Sequence, residues 1–367
     1  MTHDQRTPNR REFFGRVSGS TAGAVLGAAL CGSARATHGA QPSAAKTDRR
    51  QTFEPATERT PAIAHYEEFR FGMFIHYTMS TFLDGPFWES FNGPLPPAKK
   101  YAPEKLDVDQ WISTAARAEM RYAVLLAKHH LGFALWDSKY TGYDVVNSSN
   151  TTDVVAEFVK ACRKHDVAPG LFYTLGVDAA HRRDGGMTDR QWYEHARNQI
   201  TELLTDYGPI AVLWLDAVHV VPPARLQEVY ETVKSLQPDC LVAVNHGYGA
   251  NGRRIRYWPL DILGGERSLA PSDGHVPTIE HNGKTYYIPM ETCDTSAVGI
   301  FSKGWFWEPG EQMKEVKREL LALYQKTRSL KTNLLLNVAP DREGRLPAAT
   351  VERLFELGEA IRKLEKK

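Results

Sequence analysis

A chain of 367 residues, 42% apolar and 24% charged, has the composition of an ordinary globular protein, with length for one large domain or two small ones. Its net charge of +1 offers no electrostatic footprint for nucleic acid or an anionic membrane surface. It contains no uninterrupted apolar run of about 18 residues, so no spanning helix is expected.

The first forty residues differ in character from the rest. "NRREFFGRV" carries Arg10 and Arg11 ahead of Phe13 and Phe14, "SGSTAGAVLGAALCG" is weakly apolar, and "ARA" at 34–36 offers a small-residue cleavage site. These are the three regions of an export signal, and the paired arginines are similar to the twin-arginine class. Residues 1–36 are therefore expected to be removed on export to the periplasm or beyond the cell, and the polar stretch 37–60 to be a linker. Cys31 lies in the signal. Cys162, Cys240 and Cys293 have neither metal spacing nor an even count, and read as small buried residues.

From residue 61 to 367 short apolar runs alternate with longer amphipathic ones. Strands are expected at 71–77, 122–129, 168–175, 210–217, 240–246, 261–266, 287–293 and 333–340. Helices are expected at 107–119, 153–165, 189–208, 223–237, 311–330 and 348–365, with Asp107 and Asp153 as N-caps. Eight strands in alternation with helices predict a (β/α)₈ barrel. A doubly wound open sheet is the competing architecture, and no G-x-G-x-x-G follows any strand to support a dinucleotide site. No cofactor is implied.

Catalytic side chains of a barrel collect at the C-terminal ends of its strands. There the sequence places His76, Lys128, His129, His130, Tyr173, Trp214, Asp216, Asn245, His246, Glu266, Glu291 and Asn337. "IAVLWLDA" (210–217) is an apolar strand ending in an acid. A carboxylate at a buried strand tip must be satisfied or used. Trp214 and Asp216, two residues apart, share a face, and an aromatic platform beside a carboxylate suits a sugar ring. Two rim carboxyls about 5–5.5 Å apart perform retaining glycoside hydrolysis, and about 6.5–9.5 Å inverting hydrolysis. His76, His129, His130, His246 and Asp216 are a conceivable metal set, but no H-x-H or H-E-x-x-H pattern supports one, and no metal is expected.

The blocks "FRFGMFIHYTMSTF", "YAVLLAKHHLGFALWDSKYT", "YGPIAVLWLDA", "METCDTS" with "GWFW", and "NLLLNVAPDREGRL" together resemble the α-L-fucosidases of glycoside hydrolase family 29, over about 65–365. The resemblance implies an exo-acting retaining enzyme that removes terminal α-L-fucose from a fucosylated oligosaccharide or glycoconjugate. It implies Asp216 as nucleophile and His76, His129, His130, Tyr173 and Trp214 as the fucose pocket. Glu266, in "LGGERS", is the first candidate for acid/base. Glu291, in "METC", is its rival and is otherwise a pocket carboxylate. Glu89, in "FWES", is a further pocket acid, and Arg253, Arg254 and Arg256 are either substrate contacts or solvated loop residues. The chain departs from the family at Leu131, where an Asp is usual, and in "YTLGVDAAHRRDGG" after strand three. After "AIRKLEKK" no C-terminal β-sandwich of the kind many relatives carry is expected. "GWFW" is similar to the branch acting on α-1,3/1,4 fucosides. The alternatives are a non-catalytic carbohydrate-binding barrel and a metal-dependent hydrolase. The linkage and the oligomeric state are left open by the sequence.

Overall fold

The computed structural model describes residues 53–85, 91–247, 254–299 and 303–366. All belong to the compact unit Gln51–Lys367. The expected export signal, most of the expected linker, Glu89 and Arg253 lie outside the described residues.

Eight parallel strands close into a barrel: β1 (Phe71–Ile75), β2 (Tyr122–Lys128), β3 (Ala168–Thr174), β4 (Val212–Asp216), β5 (Leu241–Asn245), β6 (Ile262–Glu266), β9 (Met290–Thr295) and β10 (Asn333–Val338). Their order around the barrel follows the chain, and β10 closes on β1 with Phe71 opposite Leu334 and Ile75 opposite Val338. Strands covered on both faces are apolar on both faces, which is why each reads as a continuous hydrophobic run. Alternate residues divide the load. Phe74, Val124, Phe172, Val212 and Leu335 fill the barrel, while Met73, Leu125, Leu171, Leu213 and Leu334 pack beneath the outer layer.

Helices α2 (Val108–Arg117), α3 (Val154–Lys164), α4 (Asp189–Thr205), α5 (Pro223–Leu236), α6 (Leu321–Ser329) and α7 (Ala348–Glu365) follow β1, β2, β3, β4, β9 and β10. Asp107 and Asp153 cap α2 and α3, accepting from Gln110 N at 3.0 Å and Ala156 N at 2.8 Å. A helix not foreseen in the sequence, α1 (Pro61–Phe69), precedes β1. Its Ile63, Tyr66 and Phe69 join the interior cluster, so α1 stoppers the N-terminal mouth.

Two further departures concern the side of the barrel between β5 and β9. Among the described residues no helix follows β5, and the β6–β9 connection carries an antiparallel hairpin, β7 (Thr278–His281) and β8 (Lys284–Tyr287). The strand expected at 287–293 begins only at Met290. Tyr287 belongs to the hairpin, and Pro289 between them has no N–H for a ladder. The helix expected at 311–330 is shortened to a wide turn at Val316–Leu320 followed by α6.

One irregularity in β2 reaches the functional end. Leu126 pairs with Phe172, but Lys128 pairs with Tyr173, so two residues of β2 oppose one step of β3. This β-bulge breaks the alternation and re-aims the side chains beyond it. Lys128 turns to the outer face, and His129 turns inward onto Phe172, ring centroids 5.7 Å apart.

Candidate active site

The C-terminal ends of β2, β4, β5 and β6 converge on two carboxylates. Asp216 closes β4, accepting from the Asn245 amide at 2.9 Å and facing His130 Nε2 at 3.1 Å. The same Asn245 nitrogen donates to Glu266 Oε2 at 2.8 Å, and His246 Nε2 lies 3.1 Å from that oxygen. Two oxygens that share one nitrogen at these distances are less than about 6 Å apart, a bound that admits the about 5–5.5 Å of retaining glycosidase pairs. Both acids are partly exposed, with side chains 16% and 26% accessible, so the pair opens to solvent.

The backbone here is specialised. Ala217, directly after Asp216, has φ 56°, a left-handed conformation that costs a non-glycine residue energy. A Cβ on Gly176 would lie 1.9 Å from the Ala217 carbonyl oxygen, so only glycine lets the two loops meet.

Burial by itself raises the Asp216 carboxyl, but the hydrogen bond and charge of His130, with the Asn245 amide, outweigh it and hold the group well below the usual carboxylate range. Glu266 is likewise raised by burial and raised by Asp216, yet His246 and Asn245 bring it below its ordinary value. Burial pushes His76 down to about 3 and His129 well below the usual imidazole value. Both imidazoles are therefore neutral at physiological pH and can each donate and accept. They lie side by side, centroids 6.2 Å apart. Trp305 leans on His76 at 4.9 Å and Phe306 on His129 at 5.2 Å. Asn337 at the end of β10 fixes this wall by donating to the carbonyls of Gly304 and Trp305.

Three other candidates sit away from the carboxylate pair. Trp214 shares the inner face with Asp216 but lies one layer deeper, 2% exposed, its ring stacked on Phe172 at 5.4 Å. Its indole N–H donates at 2.9 Å to Glu291, which is fully buried and also accepts from Tyr66 and Tyr122 at 2.8 and 2.6 Å. Glu291 thus occupies the barrel interior two residues below the Glu266 level, where Cys293 pairs with Glu266. Tyr173 faces outward, donating to Gln199 of α4 at 2.8 Å. Leu131 is buried in the outer core, and Arg254 and Arg256 are exposed.

A metal set of five residues is not gathered, but a smaller one is. His129, His130 and Asp216 each offer an atom within 4.8 Å of the others, and two imidazoles with a carboxylate are a donor set that zinc accepts. The sequence placed Asn245 at the rim without assigning it a role, and His246 there only as one member of a conceivable metal set. Only their position at the end of β5 pointed to them, because Asn and His at a strand end are common in barrels without chemistry.

The sequence model of the family described as alpha-L-fucosidase matches residues 40–365. The chain belongs to the α-L-fucosidase family. A relative within it, alpha-L-fucosidase 1 of Arabidopsis thaliana, is 29% identical over 310 residues, covering 78% of this chain and 57% of the plant protein. The plasma alpha-L-fucosidase of Rattus norvegicus is 23% identical, covering 84% and 71%. Among solved structures, alpha-L-fucosidase isoenzyme 1 from Paenibacillus thiaminolyticus superposes with a TM-score of 0.69 at 25% identity, covering 82% of this chain and 75% of that one. The chain spans just over half the length of the plant α-L-fucosidase it matches.

Proposed function

We propose that this chain is an exo-acting, retaining α-L-fucosidase in which Asp216 is the nucleophile and Glu266 the acid/base. The observation that carries the reading is the Asn245 amide holding both carboxylates. In the first step Asp216 attacks the anomeric carbon while the bond to the leaving oxygen breaks and Glu266 gives that oxygen its proton. In the second step Glu266 takes a proton from water, the water oxygen attacks the same carbon, and the Asp216 carboxylate leaves. Two inversions release fucose with its original configuration. Neutral His76 and His129 suit hydroxyl groups, and the wall of Trp305 and Phe306 suits the methyl of a 6-deoxy sugar. The substrate is a terminal α-L-fucoside of an oligosaccharide or glycoconjugate.

The reading includes export through the twin-arginine signal, supported by Arg10, Arg11 and the segment after them. A second reading, a metal-dependent hydrolase, is favoured only by the His129–His130–Asp216 cluster. A non-catalytic fucose-binding barrel would bind without turnover.

The test uses residues 37–367, wild type and Asp216→Ala. An aryl α-L-fucoside and α-1,2-, α-1,3-, α-1,4- and α-1,6-fucosylated oligosaccharides are supplied with and without chelator. Expected is release of fucose that appears first as the α-anomer by NMR, is lost in the variant and ignores the chelator. Release that the chelator abolishes would replace the carboxylate pair with the metal reading. Binding without release by folded protein would replace it with a lectin-like one.

A further inference from the structure

Lys128 and Asp178 are buried, both side chains fully inaccessible, and the two-step hydrolysis uses neither. The bulge in β2 sends Lys128 outward, where its ammonium meets Asp178 Oδ2 at 2.7 Å and lies over the rings of Tyr173 and Trp192 at 4.2 and 4.3 Å. The other oxygen, Asp178 Oδ1, accepts from the backbone N–H of His181 and faces its ring Nδ1, each at 2.8 Å. His181 Nε2 reaches the Thr141 hydroxyl at 2.8 Å. The carboxylate is therefore saturated, and burying two charges this deeply is costly unless the arrangement is specific.

The pair leads directly to the catalytic rim. Ala179, next to Asp178, donates its N–H to the His130 carbonyl at 2.8 Å, and Ala180 donates to Leu131 at 3.3 Å. Gly132 has φ 86°, and a Cβ there would lie 2.6 Å from Asp178 Oδ1. The 178–181 turn thus seats against residues 129–132 from both sides. At the far end of this unit, His130 Nε2 meets Asp216 Oδ2.

We propose that the Lys128–Asp178 pair is a positioning device that holds His130 against Asp216. The inference rests on the reading of Asp216 as nucleophile. Lys128 and Asp178 touch no substrate, and they act by fixing the backbone that carries the imidazole. Tyr173, placed in the fucose pocket by family resemblance, is instead a wall of the Lys128 cage.

The test compares Asp178→Asn, Asp178→Glu and the doubly apolar Lys128→Met/Asp178→Leu, which leaves no uncompensated charge and so protects the fold. The readouts are kcat and KM separately, the pH profile of kcat/KM, melting temperature, and a crystal structure reporting the His130–Asp216 distance. Displacing His130 by about 1 Å is expected to lower kcat roughly 10- to 100-fold with little change in KM. The acid limb of the profile moves to higher pH, because Asp216 loses the partner that lowers it most. The groups facing Asp216 are His130 and His129 from β2, His76 from β1, Asn245 from β5, Glu266 from β6 and Cys293 from β9, and of these only His130 is released. Asp178→Glu restores the profile in part. A folded double variant with the wild-type acid limb and an intact His130–Asp216 contact overturns the proposal. Failure of the underlying reading has a different signature: the wild type itself releases no fucose, while the crystallographic distance still judges the positioning role.

Discussion

Replacing Glu291 with alanine separates the two glutamates that competed for the acid/base role. Glu291 is fully buried and satisfies three donors: the hydroxyls of Tyr66 and Tyr122 and the indole N–H of Trp214. Removing it strands all three inside the barrel. An orphaned buried donor costs about 1–3 kcal/mol, and the three are coupled, so a loss of about 4 kcal/mol is expected. That is a large share of the roughly 5–15 kcal/mol that stabilises a domain, and, at about 2.1 cal/mol/K of unfolding entropy per residue in a unit of this size, it lowers the melting temperature by roughly 6 °C. Glu266→Ala removes a carboxylate that is a quarter exposed, and is expected to change stability by no more than about 1 kcal/mol. Activity reverses the order. Glu266→Ala loses about 10²–10⁴-fold in rate, and azide restores turnover by attacking the fucosyl-enzyme, giving the α-azide. Glu291→Ala, assayed where it is folded, is not rescued by azide. Calorimetry with an azide-supplemented aryl fucoside assay decides it. A Glu291→Ala protein that melts like wild type and is rescued by azide would refute this assignment.

Turnover needs Asp216 ionised and Glu266 protonated, so activity falls as pH drops through the first pKa and as it rises through the second. Since both groups lie below their ordinary values, the optimum of kcat/KM is on the acid side of neutrality, and His246→Ala moves the alkaline limb upward in a pH–rate profile. Gly176→Ala drives a Cβ into the Ala217 carbonyl, and is expected to cost at least about 3 kcal/mol by denaturant melts and to depress kcat through Asp216. Arg10→Lys with Arg11→Lys retains the protein in the cytoplasm, read by cell fractionation; unimpaired export would refute the twin-arginine assignment.

The barrel strands were legible because parallel strands buried on both faces write long apolar runs, and because Asp107 and Asp153 marked helix starts. The hairpin was not, because its exposed Thr278, Glu280, Lys284 and Thr285 carry no such signal and Tyr287 ran into the next strand's apolar residues. Helix α1 escaped because its apolar face is only Ile63, Tyr66 and Phe69, and its cover is the barrel mouth, a tertiary feature. At the site, Asp216 and Glu266 could be placed at strand ends from alternation alone. The depth of Trp214 and Glu291 could not, since alternation says which face a residue takes and not how far below the rim it lies. Tyr173 shows the converse: Phe172 and Thr174 own the inner face of β3, so strict alternation sends Tyr173 outward, against the placement implied by family resemblance.

The extra residue in β2 sets the phase of everything after it. Were β2 to run on from Leu126 without the bulge, all its residues kept, strict alternation would turn Lys128 toward the barrel axis and His129 outward. A cation would stand where a neutral imidazole now faces the carboxylates, and the cage of Tyr173, Trp192 and Asp178 would be left without its ion. A change of register that alters no functional residue would thereby exchange the pocket's chemistry. The spacing of the "KHH" triplet from its strand is thus under the same constraint as its letters.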